Sequence, residues 1–252
     1  MIKMISIVAT LFVLLLPVNA QIKSGERLVF AGSYNMRGLM TNIAQLTMST
    51  STVNTSKNSF LNLKLEIETF KKWDSFFKIR DLYESFVVPS NLKPALYKRN
   101  VYEGGYTKTE KYTFMPDGKT VRSVSKLRNN PERQSTFTIG NSTTDVVTLI
   151  YKLRTANFAA LKPGQLLSYT MVFDEKQFPV SFRYLGKETV KAGNLGMKEC
   201  YKLAVVSNSK KLGGGNSNLI WLTADAKRIP AQVLFSIPVG IGQLTLTSAT
   251  GI

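Results

Sequence analysis

The chain has 252 residues with 33 Lys and Arg against 16 Asp and Glu, a formal charge of +17, one Cys and no His. The absence of His removes Ser-His-Asp and Cys-His nucleophile systems and His-ligated zinc or copper sites. Lone Cys200 cannot form an internal disulfide and, in the alternating stretch Lys198 to Leu203, reads as a small core residue rather than a catalytic thiol.

Met1 to Ala20 reads MIKMISIVATLFVLLLPVNA. Lys3 supplies a positive start, Ile5 to Leu16 an apolar run, and Pro17 a break before Val18-Asn19-Ala20. That is the pattern of a cleavable secretory signal, with cleavage expected after Ala20. A membrane span needs about 20 continuous apolar residues, and this run is shorter. No Cys follows it, which predicts a soluble, secreted, periplasmic protein rather than a lipid-anchored one. Residues 21–252 are expected to form one β-rich domain, working as a monomer.

Beyond the signal, short alternating segments recur. Arg27 to Tyr34 and Ile43 to Met48 are β-prone, and Phe60 to Phe70 alternates with Leu61, Leu63, Leu65 and Ile67 on one face. The period then changes. Lys71 to Phe86 sets Trp73, Phe76, Phe77, Tyr83 and Phe86 at three- and four-residue spacings, which predicts an amphipathic helix or helical turns ending before Pro89. Ala95 to Glu103, Tyr106 to Met115 and Thr120 to Leu127 read as a meander broken at Gly104-Gly105 and Pro116-Asp117-Gly118. A soft joint is expected near Asn129 to Arg133.

Ser142 to Asn157 is the second helical candidate, with Ser142 and Asp145 as a capping pair and Val146, Leu149, Ile150 and Leu153 as its apolar face. After Pro163-Gly164, strands are expected at Leu166 to Phe173, Val180 to Val190, Met197 to Val206, Leu219 to Ala224, Ile229 to Ile237 and Gly242 to Thr247. Gly213-Gly214-Gly215 lacks the Lys-Ser/Thr of a phosphate loop and reads as a hairpin connection.

In order along the chain, GERLVFAGSY (Gly25 to Tyr34), DLYESF (Asp81 to Phe86), EGGY (Glu103 to Tyr106), DVVTLIYKLR (Asp145 to Arg154) and WLTADAKRIPAQV (Trp221 to Val233) resemble the DUF3108 family, bacterial extracytoplasmic proteins defined by domain of unknown function 3108. In the last segment Thr223 stands where the family pattern has Ser. The resemblance implies a mainly β protein: a strongly curved antiparallel sheet or open β-barrel with two or so short helices on its concave side. It looks architecturally like lipoprotein-carrier folds. It brings no activity and no catalytic residue.

The acids Glu103, Glu110, Asp145, Glu188 and Asp225 are scattered, so a carboxylate-based hydrolase is disfavoured, and no metal loop or cofactor motif is present. Nucleic-acid binding is disfavoured by export. The functional expectation is a non-enzymatic protein holding a lipid, glycolipid or other amphiphilic anionic ligand, drawn by the basic charge. The other reading is a structural or assembly protein of the cell envelope that binds a protein partner. Tyr151 and Arg154, three apart on one helix, and Trp221 and Arg228, flanking the Asp225 turn, are the candidate ligand contacts.

Overall fold

The computed structural model describes residues 22–36, 38–206, 218–237 and 240–252. The secretory segment and the Gly213-Gly214-Gly215 connection lie outside the described residues. The fourteen strands are β1 (Arg27–Met36), β2 (Leu39–Asn54), β3 (Ser59–Thr69), β4 (Arg80–Val88), β5 (Lys93–Glu103), β6 (Tyr106–Phe114), β7 (Thr120–Leu127), β8 (Arg133–Thr138), β9 (Leu166–Phe173), β10 (Lys176–Lys191), β11 (Met197–Val206), β12 (Leu219–Thr223), β13 (Pro230–Ile237) and β14 (Gly240–Thr250). One α-helix, α1 (Val146–Arg154), separates β8 from β9.

All strands belong to one antiparallel sheet, ordered β8-β7-β6-β5-β4-β3-β2-β1-β14-β13-β12-β11-β10-β9. Every pairing is between sequence neighbours except that of β1 with β14, so the two halves of the chain meet at their ends. The ladder does not close, since β8 and β9 are its two margins. The β9 margin is shielded by the segment leading into α1. Thr144 N–H donates to Thr170 O (3.0 Å) and Val172 N–H to Thr144 O (2.8 Å), leaving less open edge for other chains.

Because every connection from an odd to an even strand leaves at one end, the sheet has two distinct ends. We call the one carrying the β1–β2, β3–β4 and β5–β6 turns the upper end, and the one carrying the chain termini the lower end. Alternation fixes which residues face inward. Leu61, Leu63 and Leu65 of β3 are buried, facing Val87, Ser85 and Tyr83 across the β4 ladder. Tyr97 and Tyr112 are directly opposed on β5 and β6 with ring centroids 5.4 Å apart, and Phe137 of β8 meets Tyr112 edge-on at 5.6 Å. Such cross-strand aromatic pairs fix register.

Of the helix or helical turns expected over Lys71 to Phe86, only one turn forms. Lys71–Trp73 make a single 3-10 turn and β4 begins at Arg80. Two unrelated features produced the helical spacing: Trp73, Phe76 and Phe77 belong to the turn, while Tyr83 and Phe86 lie on opposite faces of a strand. The chain therefore has one α-helix rather than two among the described residues, with further 3-10 turns at Phe158–Ala160 and Gly193–Leu195. The expected joint at Asn129 to Arg133 is the tight turn entering β8, held by Arg128 N–H to Thr107 O (2.8 Å). The helix cap is Asp145 itself, which accepts from Thr148 N–H, and Ser142 lies outside the helix.

The β9–β10 turn joins distant parts of the sheet. Lys176 pairs with Phe173, so Asp174 and Glu175 form a two-residue loop, and both have positive φ (49° and 59°). That turn type favours Asn-Gly, and each non-Gly residue there costs about 1 kcal/mol. Their side chains offset the strain. Asp174 Oδ1 accepts from Lys108 Nζ (2.6 Å) and also binds Arg99, which pairs with Glu110 Oε2 at 3.1 Å. Glu175 binds Ser123 (2.7 Å), Ser135 (2.8 Å) and Arg133, and its N–H donates to Tyr112 Oη (2.8 Å). Burial pushes both carboxyls up, but these hydrogen bonds outweigh it and hold both below their ordinary range. The replacement D174N/E175G installs the preferred turn and removes the clasp. It is expected to lower stability in urea denaturation despite relieving backbone strain; a gain would show that the clasp contributes nothing.

Candidate functional site

Helix α1 is enclosed on nearly all sides. Val147 and Tyr151 enter one hydrophobic cluster, with Leu63, Tyr97 and Tyr112. Leu149 and Leu153 enter a second, with Phe158, Phe182, Leu203 and Leu222. Nine residues of isolated helix would be marginal in water, so packing and end contacts must supply the stability.

Both ends are tied to strands. At the N-terminus Asp145 Oδ1 accepts from Thr148 N–H (2.8 Å), and Oδ2 accepts from the hydroxyls of Ser85 and Thr148 (both 2.7 Å). Complete burial raises the Asp145 carboxyl above its usual range despite these bonds. At the C-terminus Arg154 makes a two-pronged ion pair with Glu26, 2.7 Å on each side, with both side chains buried. Arg154 Nη2 also donates to Lys227 O (3.2 Å), and Arg228 Nη1 donates to Arg154 O (3.0 Å), satisfying a terminal helix carbonyl.

The turn that delivers Arg228 is built by Asp225, whose Oδ1 accepts from Thr223 Oγ1 (2.9 Å), Lys227 N–H (3.0 Å) and Arg228 N–H (3.2 Å). Thr223 Oγ1 in turn accepts from Ile229 N–H (2.8 Å). Arg228 sits at φ 47°, a conformation this turn imposes.

The four expected ligand contacts therefore have the following places. Tyr151 is fully buried, with its ring beside Arg154 (5.4 Å) and its hydroxyl 3.5 Å from Ser49 O. Arg154 and Arg228 hold the end of α1. Trp221 is buried on β12 and donates through Nε1 to Glu188 Oε2 (3.1 Å). The structure brings Tyr151, Arg154 and Arg228 together and leaves Trp221 on the neighbouring strand. None of the four lines the cavity described next.

That cavity, of about 260 Å³, lies between α1 and the sheet. Val146, Leu149, Ile150 and Leu153 form its helical wall, and Phe30, Leu46, Met48, Phe182, Leu222 and Leu244 are among its strand wall. Every lining residue is apolar. The helical wall is the set that the sequence singled out as the apolar face. The strand wall was legible only as separate alternating strands. Exposure rises toward the upper end: Leu203 is buried and Val205 half-buried on β11, Leu222 and Ile220 on β12 follow suit, and so do Leu246 and Leu244 on β14. The half-buried part of the wall thus lies on its upper side, away from the Glu26–Arg154 pair. A hollow of about 310 Å³ on the other face of β2 to β5 has polar walls including Gln45, Thr47, Glu66 and Arg80.

Next to the cavity is a polar cluster. Leu65, on the cavity wall, lies opposite Tyr83, and Tyr83 opposite Arg99. Asp81, two residues before Tyr83, is buried beside Glu103 and accepts from Tyr102 N–H (3.0 Å). Burial, then the Glu103 charge, pushes Asp81 up to about 7. This carboxyl pair escaped the sequence reading because Asp81 was assigned to a helix. Among the five acids the sequence offered, Glu110 faces Arg99 and Lys108, Glu188 binds Lys202, and Asp145 and Asp225 cap and turn. Cys200 is buried, and burial raises its thiol to about 11.

One antiparallel sheet with a buried helix and an apolar cavity against it makes a mainly β, barrel-like fold, and the comparisons agree with that fold class. The chain belongs to the family described as protein of unknown function DUF3108, which matches residues 31–247. It shares its fold with a β-barrel-like protein of domain of unknown function DUF1849 from Brucella abortus, at a TM-score of 0.55 and 10% identity over 89% of this chain and 96% of that one. A candidate exported protein with a YmcC-like fold from Bacteroides fragilis overlaps at a TM-score of 0.32, 9% identity, 92% of this chain and 98% of that one. A candidate lipoprotein from Parabacteroides distasonis gives 0.32, 8%, 92% and 98%. No curated protein matches the sequence.

Two measurements check this site. Removing one partner of a buried ion pair costs about 3–5 kcal/mol. Glu26→Ala should lower urea stability by that amount, and the paired replacement Glu26→Leu with Arg154→Met should recover most of it. For Asp81, the unfolded carboxyl ionises near pH ~3.9 and the folded one near 7. Between those values the native state binds more protons, so this group lowers stability as pH rises. Asp81→Asn is expected to raise Tm at pH 8 by about 2–4 °C and to change it little at pH 4.

Proposed function

We propose that the protein is an extracytoplasmic, non-catalytic binding protein that holds an apolar or amphiphilic ligand of the lipid class in the cavity beside α1. The observation that carries this reading is the wholly apolar cavity of about 260 Å³. Small-ligand sites run from about 300 Å³ upward and are mostly apolar, so the size suits one acyl chain or a compact apolar body. An apolar cavity of this kind stays dry, and filling it returns contacts that its walls lack.

In this reading the sheet curves around α1. Support comes from the clasp, which ties the β9–β10 turn to strands β5 to β8, and from the packing of α1 against β3 and β4 as well as β9. The bulges between Val29 and Phe30, Gly32 and Ser33, and Trp221 and Leu222 add local bending. The adjoining cluster of Tyr83, Arg99 and Asp81 is where a polar headgroup would lie. Export is supported by the signal pattern of the first twenty residues. A binding role rather than catalysis is supported by the engagement of Asp145, Asp225, Glu110 and Glu188 in structural contacts.

The test is native mass spectrometry and organic extraction of protein purified without detergent, together with titration of the apolar fluorophore N-phenyl-1-naphthylamine. Val233→Trp, at a half-buried wall position, should abolish probe binding with little change in Tm. A wild-type protein that carries no lipid and binds no probe would defeat the proposal.

A further inference from the structure

The upper end of the sheet is unusually apolar on its outside. Leu39 (74% exposed), Met40 (43%), Phe70 (37%), Phe76 (81%), Phe77 (47%) and Ile241 (49%) all sit at the β1–β2, β3–β4 and β13–β14 turns. At the lower end the large exposed apolar residues Leu166, Met197 and Ile252 begin or end the described elements singly.

The β3–β4 loop that carries Phe76 is a built structure. Asp74 accepts from Thr69 Oγ1 (2.6 Å) and forms a fork with Arg80 (3.1 and 2.6 Å). Thr69 Oγ1 also accepts from Ile79 N–H (3.1 Å), and Trp73 Nε1 donates to Asn42 O (3.1 Å), fastening the loop to β2. Phe77 lies on Gly104 so closely that a Cβ there would fall 2.5 Å from its ring, which fastens the loop to the β5–β6 turn. A loop so held keeps Phe76 in water at the cost of exposed apolar area, and that arrangement calls for an apolar surface to meet it.

Charge identifies that surface. Between Phe70 and Ile79 the only acid, Asp74, is neutralised by Arg80, while Lys71, Lys72 and Lys78 are exposed. Lys72 and Lys78 lie over the rings of Trp73 and Tyr102 at 5.7 and 5.6 Å. Aromatic side chains with an indole at their base, ringed by unneutralised lysines, match the boundary between acyl chains and anionic headgroups. A protein partner would call for a larger, flatter apolar area with fewer lysines.

We propose that the upper end docks on an anionic lipid bilayer, with Phe76 inserted among the acyl chains and Lys71, Lys72 and Lys78 on the headgroups. The docking is independent of whether the cavity takes a lipid.

Sedimentation with phosphatidylcholine vesicles, with and without phosphatidylglycerol, tests it on the full purified chain. Trp73 is a built-in reporter, since Trp221 is already buried. Binding and a blue shift in emission are expected only with phosphatidylglycerol. Phe76→Ser should weaken binding about tenfold and each of Lys71→Glu and Lys72→Glu about fivefold. Leu166→Ser, at the lower end, should leave it unchanged. Absence of binding, equal binding to neutral vesicles, or unchanged binding of F76S would overturn the proposal.

Discussion

The fold depends on how one short helix is kept buried against the sheet. A buried helix brings its end carbonyls, its first amides and any polar side chain out of water, and each needs a partner. The Glu26–Arg154 pair solves the hardest part. Arg154 ends α1, Glu26 stands one residue before β1, and β1 is the strand where the two halves of the ladder join. One interaction thus ties the helix to the seam of the sheet. Arg228 then completes the helix end, and the Asp225 turn exists to hold Arg228 in its left-handed conformation. A hydrophobic pair could replace the ion pair energetically. It would not provide donors for Lys227 O, which is a reason for a guanidinium at this site.

The family segments acquire a common meaning from this network. GERLVFAGSY supplies Glu26, DVVTLIYKLR supplies Asp145 and Arg154, WLTADAKRIPAQV supplies Thr223, Asp225 and Arg228, and DLYESF supplies Ser85, which holds Asp145 at the other helix end. EGGY supplies the Gly104 on which Phe77 rests. The segments that define the resemblance are therefore the ones that seat the helix and its neighbouring loop. The cavity walls come from residues whose only requirement is to be apolar and of suitable size, and they leave no motif.

Alternation made most of the sheet legible. β7, β9 and β11 begin and end where β-prone runs and turn residues place them, although adjacent residues Met171 and Val172 of β9 and Leu203 and Ala204 of β11 are buried on both faces. The Lys71 to Phe86 segment was misread for a physical reason. Exposed aromatics on a turn are spaced like a helix stripe, and periodicity carries no information on whether Phe76 is inside or outside. β8 was missed since its side chains are largely exposed on both faces and its pattern is polar. The clasp was not legible either. Asp174-Glu175 reads locally as a polar turn, and its partners Arg99, Lys108, Ser123 and Ser135 lie between 40 and 75 residues away.

The two ends of the sheet divide the chemistry between them. At the lower end the Glu26–Arg154 pair seals the helix terminus, while at the upper end the Asp174-Glu175 clasp pairs with Arg99, Lys108 and Arg133. Toward that upper end, half-buried Val205, Ile220 and Leu244 edge the cavity wall, and the turns bear Leu39, Phe76 and Ile241. Between the wall residues Phe30 and Leu46 and the rim residue Leu39, β1 and β2 carry the polar Ser33, Thr41 and Asn42, with Ser33 donating to Asn42 at 2.6 Å. Wall and rim are therefore distinct apolar surfaces, and the demands on them differ: the wall must fit around α1, whereas the rim must only stay fixed by the Asp74–Arg80 and Trp73–Asn42 contacts that hold its loop.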